Sequence, residues 1–276
     1  MKDAKFASQH RTAKKLITDN VEILMRQIEQ GHSEGFTAYL AAMARFHRYS
    51  FGNILEIARQ RPDATRVAGI CTWNQFGRRV KRGEKGIRIF APMARATTKT
   101  EEATEEVLFK ATGFRAVYVF DLSQTEGDEL PEPAKATGEV GECRDLLFGF
   151  LAQQGIEIEY SEAIAPAQGV SYGGRIALLP GLGRAEELAT LIHETAHELL
   201  HRNERRAATT RTVRELEAES VAYVIGQAVG LRMGATSADY ITLYGGNAEI
   251  LTESLEAIQH ASAAILAVIL PAAGWE

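Results

Sequence analysis

The sequence is poor in cysteine and lacks long apolar runs, and both absences narrow the class of protein. Its two cysteines, Cys71 and Cys143, have a separation that fits neither a disulfide framework nor a zinc motif. The N-terminal segment MKDAKFASQHRTAKK has no apolar core of the signal-peptide kind, and the longest apolar stretch, 263–270, is too short to cross a bilayer. We therefore expect a cytoplasmic protein with no membrane partner, since chains with few cysteines are typical of reducing compartments.

The sequence also lacks internal repeats and any regular alternation of strands with helices, which favours an α+β fold. Apolar periodicity predicts the first three helices, a strand at 87–90 and another at 113–122 that pairs with it, with the acidic segment TTKTEEATEE as the loop between them. A second set of elements follows: a helix at 140–154, a strand at 156–160, a hairpin at 170–179 turning at Gly173 and Gly174, and three or more helices.

Charge is distributed unevenly along the chain. Residues 1–95 hold 18 Lys and Arg against 8 Asp and Glu, whereas residues 96–276 hold 13 against 28. Such asymmetry predicts two domains, the first suited to a polyanion. The segment 123–139, SQTEGDELPEPAKATGE, is rich in Pro, Gly and charge and predicts a linker. We expect a first domain suited to a polyanion at 1–122, this linker, and a second domain at 140–276.

Residues 193–197 read HETAH and fit the pattern HExxH. Four residues make just over one helical turn, so His193 and His197 project from one face and can share a metal ion. Neutral imidazoles suit Zn²⁺ or another divalent metal, with one coordination position left open for water. Glu194 lies on the adjoining flank of the helix, where it is placed to take a proton from that water.

The overlapping segment 197–201, HELLH, fits the same pattern. All three histidines cannot bind one ion, because positions 193 and 201 lie about 12 Å apart along a helix axis. Packing favours the first pair, since Leu200 would crowd a metal bound by the second. His201 is then expected to support a ligand histidine or to lie on the surface.

The segment RELEAESVAYVIGQAVG, 214–230, predicts the helix that supplies a third ligand. Glu215 and Glu219 share a face of this helix, whereas Glu217 points away. Small residues along the same face allow a close approach to the histidine helix. We assign Glu215 as the ligand and Glu219 as the carboxylate that orients a histidine, with the reverse assignment left open.

Between residues 45 and 95 the chain holds 12 cations against 3 anions, with aromatic residues interleaved. Cations follow phosphates and aromatic rings stack on bases, a combination that suits single-stranded nucleic acid. The predicted contacts with nucleic acid are Arg45, Arg48, Tyr49, Trp73, Arg78, Arg79, Lys81, Arg82, Lys85 and Arg88.

Both halves of the chain resemble the ArdC-type antirestriction proteins of bacterial plasmids and other mobile elements. The similar segments are RYSFGNILEIARQRPDATRVAGICTWNQFGRRVKRGEKGIRIFAP, SYGGRIALLP, HETAH and ELEAESVAYV. The second half is also similar to the ImmA/IrrE-type zincin-like metallopeptidases. The resemblance implies an N-terminal domain that binds single-stranded DNA and a gluzincin-like peptidase fold. It also implies His193, His197 and Glu215 as metal ligands and Glu194 as the general base.

The leading hypothesis is an antirestriction protein that binds single-stranded DNA and carries a zinc-dependent peptidase domain, protecting incoming mobile-element DNA. Its peptide or protein substrate is not indicated by the sequence. Two other hypotheses stay open. One is a non-enzymatic DNA-binding protein with a structural metal; the other is a regulatory protease that cleaves a repressor and uses DNA only for localisation.

Overall fold

The computed structural model of the chain describes residues 15–26, 33–101, 104–130, 140–231 and 248–270. Helices and strands are mixed in these ranges, which confirms the α+β class. No helix in these ranges is both long and apolar enough to cross a membrane. The helices are α1 (15–26), α2 (Ser33–Arg45), α3 (Phe51–Gln60), α4 (Ile70–Gln75), α5 (Val140–Gln153), α6 (Arg184–Leu200), α7 (Asn203–Ala208), α8 (Arg211–Val229) and α9 (Ala248–Ile269). The strands are β1 (Val67–Ala68), β2 (Arg78–Val80), β3 (Ile87–Glu101), β4 (Thr104–Asp121), β5 (Thr125–Gly127), β6 (Glu157–Tyr160), β7 (Gly169–Ser171) and β8 (Arg175–Leu178).

The chain forms two compact units. Unit 1 comprises Met1–Ile23 and Leu55–Glu129, and unit 2 comprises Leu24–Ile54 and Leu130–Glu276. This division differs from the predicted boundaries because α2 packs on α8 and so groups with the C-terminal half. The start of the predicted linker is also structured, since β5 pairs with β2 in an antiparallel ribbon. Residues 131–139 of that linker lie outside the described residues.

In unit 1 a long antiparallel hairpin of β3 and β4 dominates, and β1 pairs with the other side of β4. The pairing of the two predicted strands is confirmed, but the loop prediction for TTKTEEATEE was wrong. Both strands continue into that segment, and pairing extends to Glu101 opposite Thr104. The segment is rich in threonine, whose branched side chain favours extended backbone, and this preference outweighs its polarity.

Asp121, at the end of β4, ties three segments of unit 1 together. Its carboxylate accepts hydrogen bonds from the backbone N–H groups of Thr65 (2.7 Å), Arg66 (3.1 Å) and Ser123 (2.9 Å). Burial disfavours the charged form and is the largest single effect, but these hydrogen bonds together outweigh it and lower the pKa of Asp121. The carboxylate therefore stabilises the start of β1 and the turn after β4.

Unit 2 contains a small sheet in the order β6-β8-β7, in which β6 is parallel and β7 antiparallel to β8. The predicted hairpin is confirmed, and its turn falls at Gly173 and Gly174, whose φ values of 81° and 105° favour glycine. Helix α6 packs on β7 and β8 on one side and on α8 on another, while α8 also packs on α2 and α9. This arrangement places α6 between the sheet and the helices.

We expect Asp121→Asn to lower the free energy of unfolding at pH 7 by about 1.5–3 kcal/mol, because hydrogen bonds to a charged acceptor are lost. The folded-state pKa lies below the value of about 3.9 in an unfolded chain. The stabilisation is therefore complete above that value and is lost as the pH falls through the folded-state pKa. Chemical denaturation at several pH values between 7 and 3 measures the free energy of unfolding of wild type and Asp121→Asn. The difference between the two free energies should become smaller as the pH falls.

Asp63→Asn is the matched control for this substitution. The Asp63 side chain is 76% exposed and lies 3.7 Å from Arg61, so its removal should change stability by less than about 0.5 kcal/mol. A constant difference between wild type and Asp121→Asn from pH 7 to pH 3 would show that the Asp121 charge does not stabilise the fold.

Candidate metal centre

Helix α6 forms because an apolar stripe recurs at helical spacing. Leu188, Leu191, Ile192 and Thr195 are buried along this stripe. Gly183 caps the N-terminus, and two glutamates occupy the first turn, where negative charge favours the helix dipole. Burial of the stripe fixes the rotation of the helix, so its polar residues face the sheet and α8.

Helix α8 brings the acidic residue to this face. Thr210 caps its N-terminus by accepting a hydrogen bond from the Val213 N–H group at 3.2 Å. Ala218, Ala222 and Gly226 are buried along the helix, and α6 packs against it. Because these side chains are small, the two helix backbones approach closely enough for their polar groups to meet.

Three predicted ligands converge between α6 and α8. The Nε2 atoms of His193 and His197 lie 3.1 Å apart, and Oε2 of Glu215 lies 3.6 Å and 3.5 Å from them. Among the His, Cys, Asp and Glu side chains in the described part of the chain, these three form a group whose ligand atoms are close enough together to hold a metal ion. The structure therefore brings together all three residues assigned to the ligand set.

The geometry and chemistry of this group fit a divalent cation. A tetrahedral ion with bonds of 2.0–2.1 Å separates its ligand atoms by about 3.3 Å, close to the three distances observed. Two imidazoles and one carboxylate are donors that suit zinc and related ions. The two neighbouring histidines hold the pKa of Glu215 far below its usual range. Burial lowers the pKa of His193, but Glu215 and nearby carboxylates raise it more, so the net shift is upward.

Glu194 lies between the ligand pair and the edge of the sheet. Its side chain is buried, and the nearby Ser171 N–H group of β7 favours its charged form. Burial raises the pKa of Glu194, and the neighbouring histidines only partly counter it. A Cβ atom at Gly169 would lie 2.6 Å from Thr190 Cγ2 and 2.8 Å from Glu194 Cγ, so glycine is needed for β7 to approach the helix.

Glu198, one residue after His197, fixes the hairpin against α6. Its buried carboxylate accepts hydrogen bonds from Ser171 Oγ (2.6 Å) and from the N–H groups of Gly173 and Gly174 (both 2.7 Å). It also pairs with Arg202 at 2.8 Å. Beside this contact a cleft of about 520 Å³ opens, lined by residues that include Ser171, His197 and Arg206. Helix α6 therefore holds the hairpin and the cleft next to its two candidate ligand histidines.

The structure corrects the assignment of the carboxylate that orients a histidine. Glu219 is exposed, and its negative charge contributes to raising the pKa of His193. Glu217, expected to point away, is fully buried and lies 2.9 Å from Nε2 of His201. His201 is buried as well, and its Nδ1 atom lies 2.9 Å from Nδ1 of His197. The sequence reasoning missed Glu217 because this residue lies on the side of α8 opposite Glu215. The sequence does not show that His201 reaches Glu217 on that side.

Two predicted nucleic-acid contacts are structural residues of unit 1. Trp73 is 2% exposed and donates from Nε1 to the Phe120 carbonyl at 2.9 Å, so its ring is not available for stacking. The Arg78 guanidinium donates to Thr125 Oγ1 (2.8 Å), to the Thr125 carbonyl (3.1 Å) and to carbonyls at 127 and 128. This guanidinium holds β2 and β5 together, and its donors are occupied within the protein.

The remaining predicted contacts fall in both units. Arg45, Arg48 and Tyr49 belong to unit 2, where the Tyr49 carbonyl accepts a hydrogen bond from Gln259 at 3.1 Å. In unit 1, Arg88 is half-buried in β3, and Lys81 donates to the Ser123 carbonyl at 3.0 Å. Four cations on β2 and the turn after it are exposed: Arg79, Lys81, Arg82 and Lys85.

Tyr118 is an exposed aromatic residue that the sequence reasoning did not select. It lies on β4 directly opposite Arg88 of β3, and 58% of it is exposed. Gly86 adjoins the ring, since a Cβ atom there would lie 2.9 Å from Tyr118 Cβ. The alternation in AVYVFD placed Tyr118 on the face opposite Val117 and Val119, so the sequence did contain this information.

Part of the chain is similar to a known protein family. Residues 9–120 match the family described as the N-terminal domain of anti-restriction factor ArdC. An uncharacterized protein of Bacillus anthracis is 25% identical over 258 residues, which cover 78% of this chain and 44% of that protein. The chain thus matches less than half the length of this relative.

Two solved structures of the antirestriction ArdC protein from the R388 plasmid have a similar fold. The metal-free structure is 17% identical, with a TM-score of 0.55 and coverage of 92% of this chain and 97% of that one. The Mn(II)-bound structure is 18% identical, with a TM-score of 0.54 and coverage of 93% and 98%. The chain therefore has an ArdC-like fold across most of its length, with the family match located in its N-terminal part.

Proposed function

We propose that this chain is an antirestriction protein that combines a metal-dependent peptidase site with single-stranded-DNA binding. The observation that carries the proposal is the convergence of His193, His197 and Glu215, with Glu194 buried beside them. A buried carboxylate next to three metal-type donors is the arrangement required for hydrolysis by activated water. The zincin-like character of unit 2 is part of this proposal.

The two histidines and Glu215 would hold Zn²⁺ or another divalent ion, and the Mn(II)-bound structure of the R388 ArdC protein makes manganese a second candidate. When bound, the ion supplies Lewis acidity, which favours deprotonation of water and polarises a carbonyl group. Glu194 takes the proton from the attacking water and passes it to the amine nitrogen as the C–N bond breaks. Its raised pKa suits both steps, because a base works best with a pKa near the working pH.

Strand β7 is suited to hold an extended peptide. It lies at one edge of the sheet β6-β8-β7. The backbone of Tyr172 bonds to β8, so by alternation Gly169 and Ser171 direct their backbone groups away from β8, at the edge of the sheet. A substrate paired along this edge would pass Glu194, whose carboxylate lies near the Ser171 backbone. Glu198 keeps the edge in place through the hairpin turn.

The DNA-binding part of the proposal rests on unit 1. Arg79, Arg82 and Lys85 are exposed near the start of β3, and Tyr118 offers an exposed ring opposite Arg88. Positive charge next to an aromatic face suits a single strand, whose phosphates and unstacked bases are both accessible. We assign base stacking to Tyr118 in place of the buried Trp73.

We expect the affinity for Zn²⁺ to fall as the pH is lowered from 8 to 5.5. The raised pKa of His193 means that a proton competes with the metal at higher pH than for a free imidazole. Competition titrations with a chromophoric chelator at each pH measure this. In Glu215→Gln the affinity should drop and the pH at which protons compete should shift downward. Affinity that is independent of pH in this range would exclude the histidine pair as ligands.

Glu194→Gln should retain the bound metal and lose peptide cleavage by at least about 100-fold, because general acid–base catalysis is removed. Cleavage is measured on a pool of fluorogenic peptides, with metal content determined in the same preparation. Glu253→Gln, an exposed glutamate on α9, is the control and should leave both quantities unchanged. Equal cleavage by Glu194→Gln and wild type would refute the proposed mechanism.

Tyr118→Ala should weaken binding of an oligothymidine strand by about 1–3 kcal/mol, while Tyr118→Phe should bind like wild type because the ring is kept. Fluorescence anisotropy at several salt concentrations measures the affinity, which should also decrease as salt increases. Tyr172→Ala removes a tyrosine of similar exposure from unit 2 and serves as the control. Unchanged affinity in Tyr118→Ala would eliminate this ring as a stacking surface.

A further inference from the structure

His201 has a partner for each of its ring nitrogens. It follows His197 by one helical turn, at the C-terminal end of α6, and its side chain has no exposed surface. Nδ1 lies 2.9 Å from Nδ1 of His197, and Nε2 lies 2.9 Å from Oε2 of Glu217. The three side chains thus form a continuous hydrogen-bonded chain that starts at a predicted metal ligand.

The chemistry of these groups sets the direction of the hydrogen bonds. A carboxylate only accepts, so Nε2 of His201 carries the hydrogen that it donates to Glu217. In a neutral ring the Nδ1 atom of His201 then has a lone pair, and Nδ1 of His197 must donate to it. The remaining nitrogen of His197, Nε2, is left with a lone pair. That atom is the one that faces His193 and Glu215.

Glu217 is fixed from the opposite side by two further helices. Its Oε1 atom accepts hydrogen bonds from Arg205 Nη2 of α7 at 2.6 Å and from Ser254 Oγ of α9. Its Oε2 atom is therefore reserved for His201. Because neither Glu217 nor His201 has exposed side-chain surface, water cannot readily take the place of either partner.

We propose that His201 and Glu217 are positioning residues for the metal centre, setting the tautomer and the ring orientation of His197 so that Nε2 is ready to bind a divalent cation. The inference rests on the proposed function in that His197 is taken as a ligand. Partners of this kind typically change metal affinity by 10–100-fold. The overlapping HELLH segment thus has a role: its first histidine binds the metal and its second orients the first.

A purely structural role for Glu217 is the competing explanation, since this carboxylate also joins α7, α8 and α9. The contacts separate the two roles, because His201 uses one carboxylate oxygen and Ser254 uses the other. Ser254→Ala removes a buried hydrogen bond from Glu217 but leaves the path to His197 intact. It is therefore the matched control for Glu217→Gln.

The experiment uses the full chain with Zn²⁺ as the probe. Wild type, Glu217→Gln and Ser254→Ala are compared for Zn²⁺ affinity by chelator competition at pH 7.5, and for thermal stability in the metal-free form. We expect both variants to melt at lower temperature than wild type. Zn²⁺ affinity should fall by about 10–100-fold in Glu217→Gln and stay within about twofold of wild type in Ser254→Ala.

A histidine-ring ¹⁵N NMR spectrum of the wild type provides a second measurement that needs no variant. It should show His201 as the Nε2–H tautomer and His197 as the Nδ1–H tautomer. If Glu217→Gln does not fold, this spectrum alone tests whether His201 and Glu217 set the tautomer of His197. The opposite tautomers, or equal loss of affinity in both variants, would overturn the positioning role. Unchanged affinity in Glu217→Gln with normal wild-type binding also overturns it. A wild type that binds no Zn²⁺ overturns the metal site itself, which is a separate outcome.

Discussion

The close packing of α6 on α8 is the constraint from which the rest of the site follows. Two histidines one helical turn apart form a site with three protein ligands only if another element supplies the third donor. The small residues of α8 allow that approach, and Glu215 completes a triangle of ligand atoms with sides of 3.1–3.6 Å. A bulky residue at Ala218 or Ala222 would separate the helices and remove the third donor.

Polar side chains of α6 also hold the neighbouring residues in place around these three atoms. Glu194 lies beside β7, Glu198 fixes the β7–β8 turn, and His201 connects the proposed ligand His197 to Glu217. Each of these side chains is buried, and buried polar groups must find partners inside the protein. The same hydrogen bonds that satisfy this requirement therefore also position the sheet edge and the ligands, so stability and the proposed chemistry depend on shared contacts.

The sequence predicted local spacing well and long-range burial poorly. Helical periodicity was enough to place His193, His197 and Glu194, and the shared face of Glu215 selected the third donor. Glu217 was misplaced because it is rotated by about 200° from Glu215 around the helix, and only the fold shows that α7 and α9 cover that side. Trp73 and Arg78 were selected by composition. In the structure, Trp73 packs in the core and bonds to the Phe120 carbonyl, and Arg78 joins the strands of the β2–β5 ribbon. Tyr118 was identifiable from strand alternation once its strand was known to be half-exposed.

X-ray absorption at the zinc edge of the Zn²⁺-loaded protein tests the central claim most directly. The account predicts one ion per chain, with nitrogen and oxygen neighbours at about 2.0–2.1 Å and scattering from two imidazole rings. Replacement of His197 should leave scattering from one ring. An ion with no imidazole neighbours, with three of them, or with sulfur at about 2.3 Å would contradict the assignment of His193, His197 and Glu215 as its ligands.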